Sequence, residues 1–229
     1  MNELIWFAGI IVNFSLFVLA YKLFGKVGIV GWIALATILA NIQVTKSITV
    51  FGLHATLGNI LYGTVSLATD SLNELFGKKT ARQGVMVGFF VMIATMASMQ
   101  LALLYLPNEF DLSQEALETI FGFLPRILLG SVIAYLISQF LDIVLYQKIW
   151  DRLPENKHLW IRNNLSTLVS QLIDTLIFVP IAFLGIYPSN VLWQIIISTY
   201  LIKVFIALLD TPFMYLVKKI KPLPILEIK

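Results

Sequence analysis

Residues 163–187 read NNLSTLVSQLIDTLIFVPIAFLGIY, a run that is apolar enough to cross a lipid bilayer and yet carries Asp174 near its middle. An ionised carboxylate at the bilayer centre costs at least ~2.5–3.5 kcal/mol on insertion scales, so a chain that keeps one there usually uses it. The next apolar run holds Lys203 at its centre, and the preceding run holds Asp142. These three charges are therefore a better guide to function than the hydrophobicity around them.

The composition predicts an integral membrane protein of the all-α class. Of the 229 residues, 59% are hydrophobic and 13% are charged, whereas charged residues make up about a quarter of a soluble domain. Backbone groups in hydrocarbon must bond within their own segment, which favours helices, and the alternating strands of a membrane β-barrel do not appear. The net charge of +3 comes from scattered basic residues and does not indicate nucleic-acid binding. Two histidines and no cysteine argue against a zinc site, and no cofactor is implied.

Seven segments are long and apolar enough to be helical spans within one transmembrane domain covering residues 1–229. They are residues 4–21, 28–45, 53–71, 84–106, 125–149, 163–185 and 191–217. Between the fourth and fifth spans, Leu112, Ala116, Leu117, Ile120 and Phe121 fall on one helical face. This pattern predicts a short helix on the membrane surface over about residues 111–121.

The basic residues predict the orientation of the chain in the membrane. Of the 16 Lys and Arg residues, 13 follow the first, third, fifth and seventh spans, and such residues mark cytoplasmic loops. The longest loop on the opposite side is acidic, with Glu109, Asp111, Glu115 and Glu118. We therefore expect the N-terminus outside the cell and the C-terminus in the cytoplasm.

The fifth and sixth spans carry the same string, Ser-Gln-x-x-Asp, at residues 138–142 and 170–174. Because the two helices run antiparallel at 1.5 Å per residue, Gln139 and Gln171 would each lie about 12–14 Å from the cytoplasmic ends. We therefore expect the two amides to face one another across an interior. A repeat of five residues arises easily by chance, so it does not by itself indicate an internal duplication.

Further polar residues stand near the ends of the spans, namely Asn41 in the second, Asp70, Asn73 and Glu74 at the close of the third, and Arg126 at the start of the fifth. Such side chains often only join membrane helices, through hydrogen bonds worth about 1 kcal/mol. For Ser138, Ser170 and Thr167 this structural role is the favoured interpretation. For Asp174 and Lys203 a structural ion pair is the alternative to a role in a transport pathway.

Four ordered motifs over about residues 34–220 resemble one known family. Residues 69–82 follow the pattern Thr-Asp-x-x-x-Glu-x-x-Gly-x-x-x-Ala-Arg, and residues 162–183 contain RNNLS, SQLIDT and a later AF. Residues 203–204 read KV, residues 210–215 read DTPFMY, and a looser match covers residues 126–142. Together they resemble the bacterial queuosine precursor transporters, which are also described as vitamin uptake transporters. The resemblance implies a core of six membrane helices, to which the first span here is an addition.

The resemblance implies import of 7-deazaguanine bases across the bacterial inner membrane for queuosine salvage, the cargo being preQ0, preQ1 or queuine. The N–H groups of such a base suit a carboxylate, and its carbonyl oxygen suits an amide or a lysine. We expect Asp174 and Gln171 to bind the base edge, with Lys203 neutralising Asp174 or Asp142 in the empty site and Phe178 or Tyr135 stacking on the ring. The full set of candidate binding residues is Asp174, Gln171, Asn41, Asp70, Asn73, Glu74, Lys203, Gln139, Asp142 and Arg126.

Two other functions stay open at this point. A substrate-binding subunit of an energy-coupling-factor type importer has a similar size, and Ala36 and Ala40 form the kind of small-residue face through which membrane helices dock. An intramembrane aspartyl enzyme would place Asp142 and Asp174 as an acid–base pair. However, its Tyr-Asp and Gly-x-Gly-Asp motifs are absent, as are HExxH and GxSxG, so we expect no enzyme. The sequence leaves open the exact base, the coupling ion and whether the chain forms a homo-oligomer in the lipid.

Overall fold

The computed structural model describes residues 2–122, 125–185 and 188–223. In chain order its elements are α1 (Asn2–Gln43), β1 (Ser47–Val50), β2 (Leu53–Thr56), α2 (Gly58–Leu103), α3 (Gln114–Leu117), a π-helical turn (Glu118–Gly122), α4 (Pro125–Arg152), a 3-10 turn (Asn156–His158), α5 (Leu159–Phe183) and α6 (Ser189–Lys219). Within this described part, five helices are long and apolar enough to cross a membrane. The structure therefore confirms the predicted all-α, polytopic membrane class.

Helix α1 folds back on itself at Gly25, where the backbone leaves the helical region. In a straight helix, Phe17 and Trp32 would be separated by about 22 Å along the axis, yet their ring centroids lie 6.2 Å apart. A Cβ atom added to Gly28 would lie 2.1 Å from the carbonyl oxygen of Ala20. Residues 2–24 (α1a) and 26–43 (α1b) are therefore two antiparallel arms in contact.

Helix α2 reverses in the same way at Gly77, with φ 81° and ψ 165°. A Cβ atom added to Gly84 would lie 2.5 Å from Cδ1 of Leu72, although a straight helix would separate these residues by about 18 Å. Residues 58–76 (α2a) and 78–103 (α2b) are thus also antiparallel. The described chain therefore contains seven helical arms at the positions of the seven expected spans. That each arm crosses the bilayer stays a prediction.

The contacts between arms sort the connections into two ends of the bundle. At one end, the Leu223 backbone N–H donates a 2.8 Å hydrogen bond to the Lys22 carbonyl, which joins the chain after α6 to the Gly25 turn. At the other end, the Asn2 side chain donates a 3.1 Å hydrogen bond to the Thr49 carbonyl of the β-hairpin. We call these the inner and the outer end, following the orientation that the basic residues predict.

The β-hairpin corrects the predicted start of the third span, because α2 begins at Gly58 rather than at Leu53. Residues 47–50 read SITV and contain three β-branched residues, which favour a strand. Phe51 and Gly52 have φ values of 53° and 73°, which is the conformation of a two-residue hairpin turn. The apolar character of the segment predicted a span here, but its local conformation is a strand pair.

The predicted surface helix over residues 111–121 is also shifted. The Asp111 carboxylate accepts hydrogen bonds from the backbone N–H groups of Ser113, at 2.7 Å, and Gln114, at 3.1 Å. An aspartate that bonds its own neighbouring backbone holds the chain in a turn, so helix formation starts only after it. The helical part therefore covers Gln114–Leu117 and continues as the π-helical turn Glu118–Gly122.

Helix α2 lies at the centre of the bundle and contacts α1, α4, α5 and α6. Its glycines allow close approach: a Cβ at Gly63 would lie 2.4 Å from Cγ2 of Ile206, and one at Gly88 would lie 2.2 Å from the hydroxyl of Tyr135. Membrane helices associate through such tight packing and through hydrogen bonds between helices. The polar residues of α2a therefore face neighbours on three sides.

We expect Gly77→Ala to lower the stability of the folded protein by about 1–3 kcal/mol, because only glycine adopts this backbone conformation without strain. An added Cβ meets no atom within 4 Å here, so the cost is purely conformational. The matched control is Gly31→Ala, which also meets no atom within 4 Å but has helical φ. Thermal unfolding in detergent should show a lower midpoint for Gly77→Ala only, and equal midpoints for both variants would contradict the hairpin turn.

Candidate substrate site

A largely buried ion pair joins α5 and α6 in the interior of the bundle. The ammonium of Lys203 on α6 donates to Oδ2 of Asp174 on α5, and the Ser138 hydroxyl on α4 donates to Oδ1 at 3.2 Å. The side chains of Lys203 and Asp174 are 8% and 19% exposed. We call these two residues the central ion pair. Each charge is neutralised by the other, which offsets part of the cost of keeping them out of water.

The two Ser-Gln-x-x-Asp strings pair reciprocally. Ser138 of the first string donates to Asp174 of the second, and Ser170 of the second donates to Asp142 of the first at 3.0 Å. Antiparallel packing of α4 and α5 brings equal positions of the two strings opposite one another, so each hydroxyl meets the other string's carboxylate. The repeat thus has a structural basis whatever its origin.

The two glutamines behave differently from the expectation. Gln139 accepts a 3.1 Å hydrogen bond from the Thr69 hydroxyl, and Gln171 donates a 3.0 Å hydrogen bond to Ser66. Both partners lie on α2a, one turn apart, so the amides are at similar depth as expected. The two amides do not bond to one another as expected, because both turn toward α2a, which supplies the hydrogen-bond partner of each.

A small cavity of about 10 Å³ adjoins the central ion pair. Its lining residues are Asn59, Tyr62, Gly63, Ser66, Thr167, Gln171, Lys203, Ile206 and Ala207. This is the room that one water molecule needs, so the arms must move apart before a bicyclic ring can enter. The lining nevertheless combines an ammonium, two amides and a phenol ring, which are groups that suit a flat heterocycle with polar edges.

A second polar layer lies toward the inner end and consists of Asp70, Asp142 and Asp210, which we call the carboxyl cluster. All three side chains are fully buried. Asp210 follows Lys203 by seven residues, which is about 10 Å along α6. Thr167 donates a 3.2 Å hydrogen bond to Asp70, but each of the three carboxyl groups keeps one buried oxygen without a donor among the described residues.

A third layer closes the inner end around Glu74. Arg162 donates to both Glu74 oxygens, at 2.6 and 2.9 Å, and the Tyr146 hydroxyl donates at 2.8 Å. Lys218 completes the ion pairing, and the guanidinium carbon of Arg162 lies 4.7 Å from the ring centre of Trp150. We call Glu74, Arg162, Tyr146 and Lys218 the inner ion cluster. It ties together α2a, α4, α5 and α6.

The remaining predicted site residues are not members of the three polar layers. Asn41 donates a 2.8 Å hydrogen bond to the Thr37 carbonyl of its own helix, and Asn73 donates a 3.5 Å hydrogen bond to the Ile143 carbonyl of α4. The side chain of Arg126 lies outside the described part of the chain.

The two aromatic candidates for stacking are not in the lining of the cavity. Phe178 packs edge-on against Phe183, with ring centroids 5.9 Å apart, in a separate apolar cluster. The Tyr135 hydroxyl donates a 3.4 Å hydrogen bond to the Val85 carbonyl on α2b. The aromatic ring beside the central ion pair is instead Tyr62, which no pattern in the sequence marks.

Sequence reasoning also missed most of the inner ion cluster. Arg162 looked like a basic loop residue that sets topology, but its side chain is fully buried. The polar triplet Arg-Asn-Asn at residues 162–164, at the start of an apolar run, is the signal that marks it. The sequence does place Asp210 on the face of α6 that carries Lys203, because seven residues separate the two, but it does not mark Asp210 as a member of a carboxyl cluster.

These features define a multi-pass helical membrane protein whose interior contains charged and hydrogen-bonding groups around a closed cavity. Residues 56–217 match the family described as "Putative vitamin uptake transporter". The chain belongs to this transporter family, and the matched part covers α2 to α5 and α6 up to residue 217, which carry the three polar layers except for Lys218.

Three relatives have names that refer to transport. The chain is 49% identical, over 96% of both chains, to the "Probable queuosine precursor transporter" of Bacillus subtilis (strain 168). It is 31% identical to the "Queuosine precursor transporter" of Escherichia coli (strain K12), over 66% of this chain and 67% of the relative. A Haemophilus influenzae protein with the name "Probable queuosine precursor transporter" is 30% identical over 58% of this chain and 54% of its own length. No solved structure matches the chain.

We expect Glu74→Gln to destabilise the protein by about 3–5 kcal/mol, because it leaves the buried Arg162 without its counter-charge. The control is Glu155→Gln, which removes an exposed pair with Lys157, whose side chain is 67% exposed. Surface pairs of this kind contribute little to stability. Unfolding of both variants in detergent would show the difference, and a wild-type stability for Glu74→Gln would mean that the inner ion cluster does not hold the bundle together.

Proposed function

We propose that this protein imports queuosine precursors, 7-deazaguanine bases such as preQ0, preQ1 or queuine, across the bacterial inner membrane. The central ion pair beside the cavity that Gln171 lines is the observation that carries the proposal. It is supported by the 49% identity, over nearly the whole chain, to a relative named for that activity. No feature of the described residues favours the alternative role as a subunit of an energy-coupling-factor type importer.

Recognition of the base rests on exchange of partners at the central ion pair. Asp174 accepts hydrogen bonds, so it suits the N–H edge of a guanine-like base, and Lys203 donates, so it suits the carbonyl oxygen. Gln171 offers both a donor and an acceptor beside them. A base that meets these groups replaces the contacts they make with each other, whereas an analogue without the matching edge would leave buried groups unpaired and be rejected.

Transport requires the bundle to alternate between two arrangements. With the ion pair closed, the cavity of about 10 Å³ excludes the base. A base that binds from outside must therefore separate α5 from α6 near Asp174 and Lys203. The base stabilises this open arrangement only to the extent that it binds the open arrangement more tightly than the closed one. Pro180 in α5 and Pro212 in α6 lie inside these helices, where proline removes a backbone hydrogen bond and allows bending.

The inner ion cluster is then the barrier to the cytoplasm. It joins four arms at the inner end, below both the cavity and the carboxyl cluster. For the base to leave inward, Glu74 must release either Arg162 or Lys218. Lys218 is the more exposed of the two partners, with 27% of its side chain accessible against 0% for Arg162, so the pair with Lys218 is the one to open first.

The orientation can be tested directly, because the chain contains no cysteine. We expect a membrane-impermeant maleimide to label Leu112→Cys in the acidic outer loop of intact cells, but to label Lys157→Cys only after the membrane is opened. Leu112 is 96% exposed and the Lys157 side chain is 67% exposed, so both sites are accessible once the reagent reaches them. The opposite labelling pattern would reverse the proposed topology.

The transport site can be tested by uptake. In cells that lack their own synthesis of the base, we expect Asp174→Asn and Lys203→Met to abolish uptake of added preQ1, measured as queuosine in tRNA. Asp151→Asn and Lys148→Met, at exposed positions of α4, are the matched controls and should retain uptake. Membrane levels of all four variants are compared by immunoblot. Normal uptake by both site variants at normal levels would exclude this site.

A further inference from the structure

Resting on the proposed function, we infer that Asp70 and Asp142 together bind one proton in the bundle interior, and that this proton enters the cell with the base. The pair is the site of energy coupling, separate from the groups that recognise the base. Transport is thereby driven by the proton gradient rather than by a sodium gradient or by downhill diffusion alone.

The first argument is the closeness of the two carboxyl groups. Asp70 on α2a and Asp142 on α4 lie within hydrogen-bonding reach of one another. Both side chains have 0% exposure. Two carboxylates that share a dry site do not both ionise, because they repel and neither is solvated. One proton between them converts this repulsion into a hydrogen bond.

The second argument is the hydrogen-bond inventory of the pair. Asp70 receives a hydrogen bond from Thr167 on one oxygen, at 3.2 Å, and Asp142 receives one from Ser170 on one oxygen, at 3.0 Å. The other oxygen of each, Oδ1 of Asp70 and Oδ2 of Asp142, is buried without a donor among the described residues. An unpaired buried acceptor is costly, and a shared proton supplies the missing donor.

The charged and polar groups around Asp70 and Asp142 do not supply the missing hydrogen-bond donor. Asp210 on α6 adds a third negative group within electrostatic reach of Asp70, and it is itself bonded by the Asn163 amide at 2.8 Å. Tyr146 on α4 is also within electrostatic reach of Asp70, but its hydroxyl donates its hydrogen bond to Glu74 at 2.8 Å.

The nearest cations of the neighbouring layers are already paired. Lys203 on α6 bonds Asp174, and Arg162 on α5 bonds Glu74. Within the described residues, α5 therefore presents only hydroxyl groups to the pair, those of Thr167, Ser170 and Ser166. A proton is the positive charge that fits between Asp70 and Asp142, because it needs no cavity of the size that a hydrated ion requires.

Position along the bundle connects this proton to the movement of the base. The hydroxyls of Thr167 and Ser170 bond the pair, and the same turn of α5 carries Gln171 at the cavity. A shift of α5 that admits the base therefore also changes the donors around Asp70 and Asp142. The pair takes its proton when open to the outside and releases it when the inner ion cluster parts, so one proton moves inward with each base.

The experiment uses the full-length protein in liposomes, with labelled preQ0 as the probe. This base has a cyano group in place of the basic aminomethyl group of preQ1, so a pH gradient does not trap it by protonation. We expect an outside-acid gradient to drive its accumulation, up to about tenfold per pH unit for one proton per base, and a protonophore to abolish the accumulation. In Asp70→Asn and Asp142→Asn, any remaining uptake should no longer respond to the gradient, whereas Asp151→Asn should behave as the wild type.

A second measurement does not depend on transport. Difference infrared spectra of the protein in detergent near neutral pH should show the carbonyl band of a protonated carboxyl group, shifted in heavy water. The band should be absent in both Asp70→Asn and Asp142→Asn and present in Asp151→Asn. Its absence from the wild type overturns the inference.

The transport outcomes separate the two proposals. If accumulation of the base follows a sodium gradient, the proton is not the coupling ion and the inference is wrong. If the base equilibrates without accumulating under either gradient, transport is not coupled to an ion, but the proposed function stands. If the wild type moves no queuosine precursor at all, the proposed function fails and the coupling fails with it.

Discussion

A carboxylate inside an apolar helix bundle must find its hydrogen-bond donors and its counter-charge within the bundle, because hydrocarbon offers neither. The acidic residues of this interior meet that constraint across helices: Asp174 is bonded from α4 and α6, Asp142 from α5, and Glu74 from α4, α5 and α6. The packing order of α2a, α4, α5 and α6 is therefore fixed by polar contacts as well as by shape. Except for the last two residues of α6, these helices lie within the part of the chain that matches the family model.

Helix α1 follows a different rule. Its buried side chains are largely aromatic and aliphatic, and α1a packs through stacked rings such as Phe14 against Phe213, with centroids 5.1 Å apart. This arm has an apolar buried face and is hydrogen-bonded to other segments at its two ends, so it shields the polar layers without entering them. This agrees with the interpretation of the first span as an addition to the family core, while the number of helices in that core stays a prediction. The division also explains why the interior site needs no residue of α1a.

Hydropathy and charge predicted the membrane class, the seven arms and a pairing of Lys203 with either Asp174 or Asp142, because insertion costs act on each residue separately and can be read along the chain. The structure shows that the partner is Asp174. They failed where the answer depends on neighbours in space. Arg162 resembles a loop cation until Glu74 is known to face it, and Tyr62 resembles any lipid-anchoring aromatic. The hairpin at residues 47–56 was missed because a short apolar run suits a strand as well as a helix.

The central ion pair, the carboxyl cluster and the inner ion cluster differ in how their charges are balanced, and this difference assigns them different functions. Asp174 has Lys203 as its basic partner, and Glu74 has both Arg162 and Lys218, so each of these carboxylates has its counter-charge within the bundle. With Lys203 and Arg162 so engaged, three ionised groups in the carboxyl cluster would leave adjacent negative charges, and two charges 4 Å apart repel by about 4 kcal/mol even at an effective dielectric constant of 20. The central ion pair can open and close around a neutral base without a change of protonation. The carboxyl cluster cannot, so substrate recognition and proton binding fall on different residues. On α5, the donors to Asp142 and Asp70, which are Ser170 and Thr167, precede Asp174 by about 6 and 10 Å along the helix.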